Sequence, residues 1–257
     1  QVTAYAERIG EETYALLMLT PPEMTADRSY RREVLFIIDT SGSMNGPSME
    51  QARAALHLGV KRLAAGDTFN IIRFSNDATS LFPGVRTVSA DSLELASQFI
   101  DSLQANGGTE MKSALELAFS MAADAESLRQ IVFITDGSVS NEAELVGMIA
   151  RRIGDGRLFT VGIGGAPNGY FMRGGAAAGR GSYLFVAQAD QVTARMSDLF
   201  RKLEQPALVD LELQWPGGMP VELATDLPSD VYAGDPLVIA ARLPAAPEGL
   251  LALAGRT

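Results

Sequence analysis

EVLFII (Glu33–Ile38) runs directly into DTSGS (Asp39–Ser43), and the reading of this stretch decides the fold. Five apolar residues in succession, Val34–Ile38, bounded by polar ones form a strand buried on both faces. Pro47 suits the first turn of a helix that follows, with Ala52, Leu56, Val60 and Leu63 on one stripe, and Gly66-Asp67 stops it. FNIIRF (Phe69–Phe74) is then a second buried strand. Strand, helix, strand with short connections is the unit of a parallel sheet.

The pattern repeats along the chain. Thr79–Phe82 reads as a short edge strand after a Ser75-Asn76-Asp77 turn, and helices are expected over Asp91–Leu103 and Glu110–Ala123, separated by Asn106-Gly107-Gly108. QIVFIT (Gln130–Thr135) is a buried strand followed by a helix from Asn141 to Ile153. LFTVGI (Leu158–Ile163) and SYLFV (Ser182–Val186) add two strands, Gly174–Gly181 reads as a close-packed helix end and turn, and Ala189–Leu203 is the closing helix. The fold class is α/β: a doubly wound, mostly parallel sheet flanked by helices, over residues 31–204.

The flanks differ. In Leu208–Trp215, Leu211, Leu213 and Trp215 alternate with Asp210, Glu212 and Gln214, the pattern of a half-buried antiparallel strand. Val221–Ala224 and Val231–Leu243 read as further strands, and Tyr14–Thr20 is strand-like and closes at Pro21-Pro22. The economical organisation is one smaller β module built from residues 1–30 and 205–257, with the α/β domain inserted between them.

Composition narrows the chemistry. With 257 residues, 47% hydrophobic and 20% charged, the chain buries a full core, and the absence of Cys excludes thiol catalysis, zinc–thiolate sites and iron–sulfur clusters. One histidine, His57, excludes multi-histidine metal sites. A net charge of −10 with no basic block disfavours nucleic acid and anionic membrane. No apolar run approaches the roughly 20 residues of a membrane helix. Gln1–Gly10 lacks the basic flank and apolar stretch of a signal peptide, and the chain reads as a piece of a longer protein.

In an open α/β sheet, ligands bind at the carboxyl ends of the strands. After Ile38 come Asp39, Ser41 and Ser43; after Thr135 comes Asp136-Gly137; Thr109 follows Gly107-Gly108. Five oxygen-bearing side chains with no nitrogen or sulfur among them select a hard divalent cation, Mg²⁺, Mn²⁺ or Ca²⁺. Gly42 permits the tight bend that lets one loop present several of them.

Asp39-x-Ser41-x-Ser43, Thr109 in a Gly-Gly-Thr loop, and Asp136-Gly137 after an apolar strand together resemble the metal-ion-dependent adhesion site of von Willebrand factor A domains, complete at all five positions. YALLMLTPP (Tyr14–Pro22) leading to VLFIIDTSGSM (Val34–Met44) is further similar to inter-alpha-trypsin-inhibitor heavy-chain-like proteins, among them bacterial surface members of the sortase-target type. The resemblance implies that Ser41, Ser43 and Thr109 ligate the metal directly or through water, and that Asp39 and Asp136 hold it largely through waters. It also implies an open coordination position for an Asp or Glu carboxylate of a protein partner, a cell-surface or extracellular setting, and movement of the last helix coupled to metal coordination.

Two other readings stand beside this one. A metal that only stabilises a spacer domain of a surface protein uses the same residues with no partner. A metal-assisted phosphatase or hydrolase with Asp39 as nucleophile would draw on Lys112, close after Thr109. It lacks a Walker lysine motif, a Gly-x-Ser-x-Gly elbow and a carboxylate two residues after Asp39, so no enzymatic activity is expected. Gly162-x-Gly164-Gly165 lacks the spacing and downstream acid of a dinucleotide fingerprint, His57 reads as a helix-surface or boundary residue, and the ten methionines and Trp215 as core.

Overall fold

The structure, a computed structural model, describes residues 2–20, 31–137, 141–165, 167–204, 208–224, 227–228, 230–232, 235–245, 249 and 251–256. The strands are β1 (Val2–Ile9), β2 (Glu12–Leu19), β3 (Arg31–Asp39), β4 (Thr68–Phe74), β5 (Ala78–Ser80), β6 (Arg86–Thr87), β7 (Ser127–Thr135), β8 (Arg157–Ile163), β9 (Tyr183–Val186), β10 (Leu208–Gln214), β11 (Glu222–Leu223), β12 (Asp230–Val231), β13 (Leu237–Leu243) and β14 (Ala252–Arg256). The helices are α1 (Pro47–Lys61), α2 (Ala90–Ser102), α3 (Met111–Ser120), α4 (Glu142–Arg152), α5 (Gly169–Ala178) and α6 (Val192–Glu204). The chain divides into two compact units, residues 29–201 and residues 1–28 with 202–257.

The first unit holds, among the described residues, a seven-stranded sheet in the order β5-β4-β3-β7-β8-β9, with β6 on β4. β3, β4, β7, β8 and β9 run parallel, and β5 and β6 antiparallel. The chain leaves β3 for β4 on one side and later crosses to β7 on the other. The order therefore reverses at the β3–β7 pair, and the carboxyl ends of those two strands are the switch point at which ligands bind in open α/β sheets. Asp39 ends β3 and Thr135 ends β7, so Asp39 and Asp136 stand at the switch point.

Both faces of β3 are covered, which explains its unbroken apolar run. Leu35 and Ile37 pack with Met111 and Leu115 of α3, Leu145 and Ile149 of α4, and Phe171 of α5. On the other face Phe36 meets Phe200 of α6 edge-on at 6.3 Å. Gly59 of α1 lies so near that a Cβ there would stand 2.6 Å from Phe200 Cζ and 2.7 Å from Phe36 Cε1. At the opposite end of the sheet from the switch point, buried Arg32 pairs with buried Asp67 at 2.6 Å, and Glu33 pairs with Arg129. Asp67 also accepts the Ala64 N–H, and the Arg32 guanidinium donates to the Arg62 carbonyl, so these buried charges are paired and hydrogen-bonded. α2 starts on a reciprocal cap, Ser92 N–H to Ser89 Oγ and Ser89 N–H to Ser92 Oγ.

The second unit has two antiparallel sheets, β1-β2-β13-β11 and β12-β10-β14. They share one apolar cluster of Leu17, Val231, Leu237 and Ile239, against which Leu211, Leu213 and Trp215 pack as the alternation of β10 requires. β10 carries a register shift between Val209 and Glu212, with Asp210 at φ 52°.

Some elements depart from the sequence expectation. β1, β6 and β14 were not anticipated. The edge strand expected at Thr79–Phe82 is Ala78–Ser80, and the helix expected over Glu110–Ala123 ends at Ser120. Val231–Leu243 is not one strand but parts of β12 and β13, and the closing helix starts with a 3-10 turn at Ala189–Gln191. The Pro21-Pro22 stop lies outside the described residues. Among the described residues no helix is long and apolar enough to cross a membrane.

Candidate metal centre

β3 delivers Asp39 at its last position, where the chain must turn from the sheet into α1. Asp39 is fully buried, and its Oδ1 accepts the Ser41 N–H at 2.8 Å, which folds the loop back over the strand end. Thr40 is tied to β4, its N–H and its hydroxyl both donating to the Phe74 carbonyl. The loop then places Ser41 Oγ 3.0 Å from Ser43 Oγ. Ser43 Oγ in turn donates to Asp136 Oδ1 at 2.8 Å, bridging the β3 loop to the residue after β7. A polar chain thus runs from Asp39 through Ser41 and Ser43 to Asp136.

Thr109 arrives from a third loop, and that loop is fastened at four points. Asn106 N–H donates to the Thr40 carbonyl at 2.7 Å, Gly42 N–H to the Gly107 carbonyl at 3.0 Å, and Glu110 N–H to the Ser75 carbonyl at 2.7 Å. The fourth tie is from Gly108 N–H to Asn76 Oδ1 at 2.7 Å. Gly107 sits at φ +87°, and a Cβ there would come within 2.9 Å of the Asn76 side chain, so backbone conformation and space both call for glycine. Gly137 fixes the meeting point: a Cβ on it would stand 3.4 Å from both Asp39 Oδ2 and Thr109 Cγ2. All five oxygen-bearing residues singled out in the sequence therefore gather around one spot. Asp39 and Ser41 are buried at its base, Thr109 and Asp136 are half-buried, and Ser43 is exposed.

Burial pushes the Asp39 carboxyl above its ordinary pKa, and the nearby Asp136 charge pushes the same way; the hydrogen bonds from Ser41 and Thr135 oppose them. A buried carboxylate beside a second one gains most from a cation, and two carboxylates with three hydroxyls form a hard-oxygen donor set. The donor chemistry fits a divalent cation. No group of three or more His, Cys, Asp or Glu side chains able to hold a metal occurs among the described residues, so carboxylates alone do not make a cage.

Other candidates fall elsewhere. His57 on α1 pairs with Asp101 of α2 at 2.9 Å, not with any of the five. Lys112 on α3 pairs with Glu144 of α4 at 2.5 Å, which holds the ammonium above and the carboxylate below their ordinary pKa. Gly164, at φ +90°, brings the loop after β8 against Ser48 of α1 and near Asp136. Sequence reading missed Thr135, which donates to Asp39 Oδ2 at 2.5 Å, and Asn76, which clasps the Thr109 loop. A Thr directly before the strand-end Asp, and an Asn in the turn facing a Gly-Gly pair, were the available signals.

A family model described as the von Willebrand factor type A domain matches residues 32–185. The chain belongs to the von Willebrand factor type A domain family. A von Willebrand factor A domain-containing protein of Dictyostelium discoideum is 28% identical over 209 residues, 80% of this chain and 22% of the relative. Domain-containing protein 5B1 of Homo sapiens is 29% identical over 82% of this chain and 18% of its own length. The chain thus spans only about a fifth of such relatives.

Solved structures show the same fold. A von Willebrand factor type A protein from Catenulispora acidiphila covers 99% of this chain and 69% of its own at a TM-score of 0.72 and 20% identity. The pilus adhesin SpaC from Lactobacillus rhamnosus GG, in an open conformation, matches 94% of this chain and 42% of its own at a TM-score of 0.56 and 12% identity. Proximal thread matrix protein 1 from the mussel byssus, solved with its adhesion-site motif occupied by zinc, matches 72% of this chain and 47% of its own at 0.55 and 18%.

Proposed function

We propose that the chain is a metal-dependent protein-binding or adhesion module. The observation that carries this reading is the polar chain Asp39–Ser41–Ser43–Asp136 at the topological switch point, with the Thr109 loop tied beside it. In this reading Ser41, Ser43, Thr109, Asp39 and Asp136 hold one divalent cation, Mg²⁺ with Mn²⁺ or Ca²⁺ as alternatives. The cation keeps a coordination position open toward the exposed rim beside Ser43, where a partner's Asp or Glu carboxylate enters. The zinc-occupied motif of the mussel byssus protein supports the metal, and the pilus adhesin SpaC supports adhesion; a bacterial cell-surface setting in an inter-alpha-trypsin-inhibitor heavy-chain-like protein rests on the resemblance of Tyr14–Pro22 and Val34–Met44 alone.

The module is not an enzyme in this proposal. Its nearest candidate base and cation, His57 and Lys112, are engaged with Asp101 and Glu144. The protein's own groups bind the cation, hold the loops in register and leave the mouth open; the metal, when bound, supplies the charge that a carboxylate meets.

The test uses Mn²⁺ as a probe. Water proton relaxation of the Mn²⁺-loaded protein is expected to fall when a short Asp-containing peptide is added, and to stay constant with the Asn counterpart. Bound Mn²⁺ with no response to either peptide would leave a metal that only stabilises a spacer domain, and would overturn the adhesion reading.

A further inference from the structure

Thr135 stands outside the five residues of the proposed site, yet both acidic arms of that site are tied to it. It is the last residue of β7, one step past the in-register Ile38–Ile134 pair, and it is fully buried. Its Oγ1 donates to Asp39 Oδ2 at 2.5 Å and accepts the Gly137 N–H at 2.9 Å. A hydroxyl has one proton; with the Gly137 N–H on its acceptor side, that proton is directed at Asp39.

The two oxygens of Asp39 are therefore each held by a donor set in the backbone framework, Oδ1 by the Ser41 N–H and Oδ2 by the Thr135 hydroxyl. This fixes the carboxylate plane and orients its remaining lone pairs. The bond from Gly137 clamps the backbone on the far side of Asp136, so the same hydroxyl restrains the peptide that carries the second acid. Metal ligands are oriented in this way by outer partners, whose loss typically costs about 10–100-fold in affinity.

We propose that Thr135 is the positioning residue of the cation site, its single hydroxyl setting the placement of Asp39 and Asp136 relative to one another. The assignment rests on the reading of the five-residue cluster as a divalent-cation site.

Valine matches threonine in shape and lacks the hydroxyl; serine keeps the hydroxyl and loses the methyl. Calorimetric titration with Mn²⁺ is expected to show Thr135→Val weakened about 10–100-fold, with Thr135→Ser restored close to wild type. The Mn²⁺-induced rise in thermal midpoint should shrink in the valine variant and return in the serine variant. If the valine variant does not fold, Thr135→Ala supplies the same comparison.

Wild-type affinity in the valine variant overturns the assignment, as does equal loss in valine and serine, which would assign the effect to the methyl group. Failure of the wild type itself to bind Mn²⁺ overturns the site reading and this assignment together, so the two failures are distinguishable.

Discussion

Ser43 Oγ donates to Asp136 Oδ1 at 2.8 Å, joining residues 93 positions apart through the switch point of the sheet. The bond fastens the exposed tip of the β3 loop to the second carboxylate, so the two halves of the proposed site depend on each other. Ser43→Ala and Asp136→Ala should each weaken Mn²⁺ binding, and the double variant should lose less than the sum. Residues in contact typically couple by about 0.5–3 kcal/mol, and a double-mutant cycle on calorimetric affinities measures this. Strict additivity would contradict the coupling.

Asp39 has a pH signature. Burial raises its carboxyl pKa in the folded protein, so the folded state binds this proton more tightly than the unfolded state does. In the metal-free protein its contribution to stability is full below the ordinary Asp value and is lost as pH rises through the raised one. Asp39→Asn, which cannot titrate, should flatten that loss of metal-free stability with rising pH and abolish Mn²⁺ binding. A second consequence is proton competition: as pH falls, wild-type metal affinity should begin to drop at a higher pH than an unperturbed Asp would set. A pH profile of stability unchanged by Asp39→Asn would contradict the burial argument.

β3, β4, β7 and β8 were legible because covering both faces of a strand leaves an uninterrupted apolar run, and no helix of five or six residues would use it. Asp39, Ser41, Ser43, Thr109 and Asp136 were legible as strand-end and loop oxygens, and the structure brings them together. β1 was not legible: VTAYAERI is an edge strand, exposed from Ala4 to Ile9, and exposure leaves no two-residue hydrophobic period to detect. β14, ALAGR, is short and mostly exposed for the same reason. Thr135 and Asn76 escaped because they act through a neighbour's oxygen or a loop's N–H, contacts that exist only after the sheet brings distant residues together.

The clasp of Asn76 on the Thr109 loop predicts a separable defect. Asn76→Ala removes the acceptor of the Gly108 N–H and the side chain that packs against Gly107 and Gly108. Amide exchange at Asn106–Glu110 should accelerate, and Mn²⁺ affinity should drop, while exchange in β3 and β7 stays as slow as in the wild type. Unchanged exchange in the loop would show that the three backbone ties suffice.

The far end of the sheet offers a control. Removing one partner of a buried ion pair costs about 3–5 kcal/mol because the other charge is stranded. Arg32 and Asp67 are 1% and 0% exposed, so Asp67→Ala should lower stability by about that amount in urea unfolding. Mn²⁺ affinity, measured where the variant remains folded, should be close to wild type. A marked loss of affinity would mean that strain at the base of β3 reaches its other end.

Five oxygens from three loops are proposed to form one cation site, and calorimetric titration of the wild type with Mn²⁺ and with Mg²⁺, beside Asp136→Ala, tests this most directly. Saturable one-site binding is expected in the wild type and its loss in the variant. No saturable binding, or equal binding in Asp136→Ala, would contradict it.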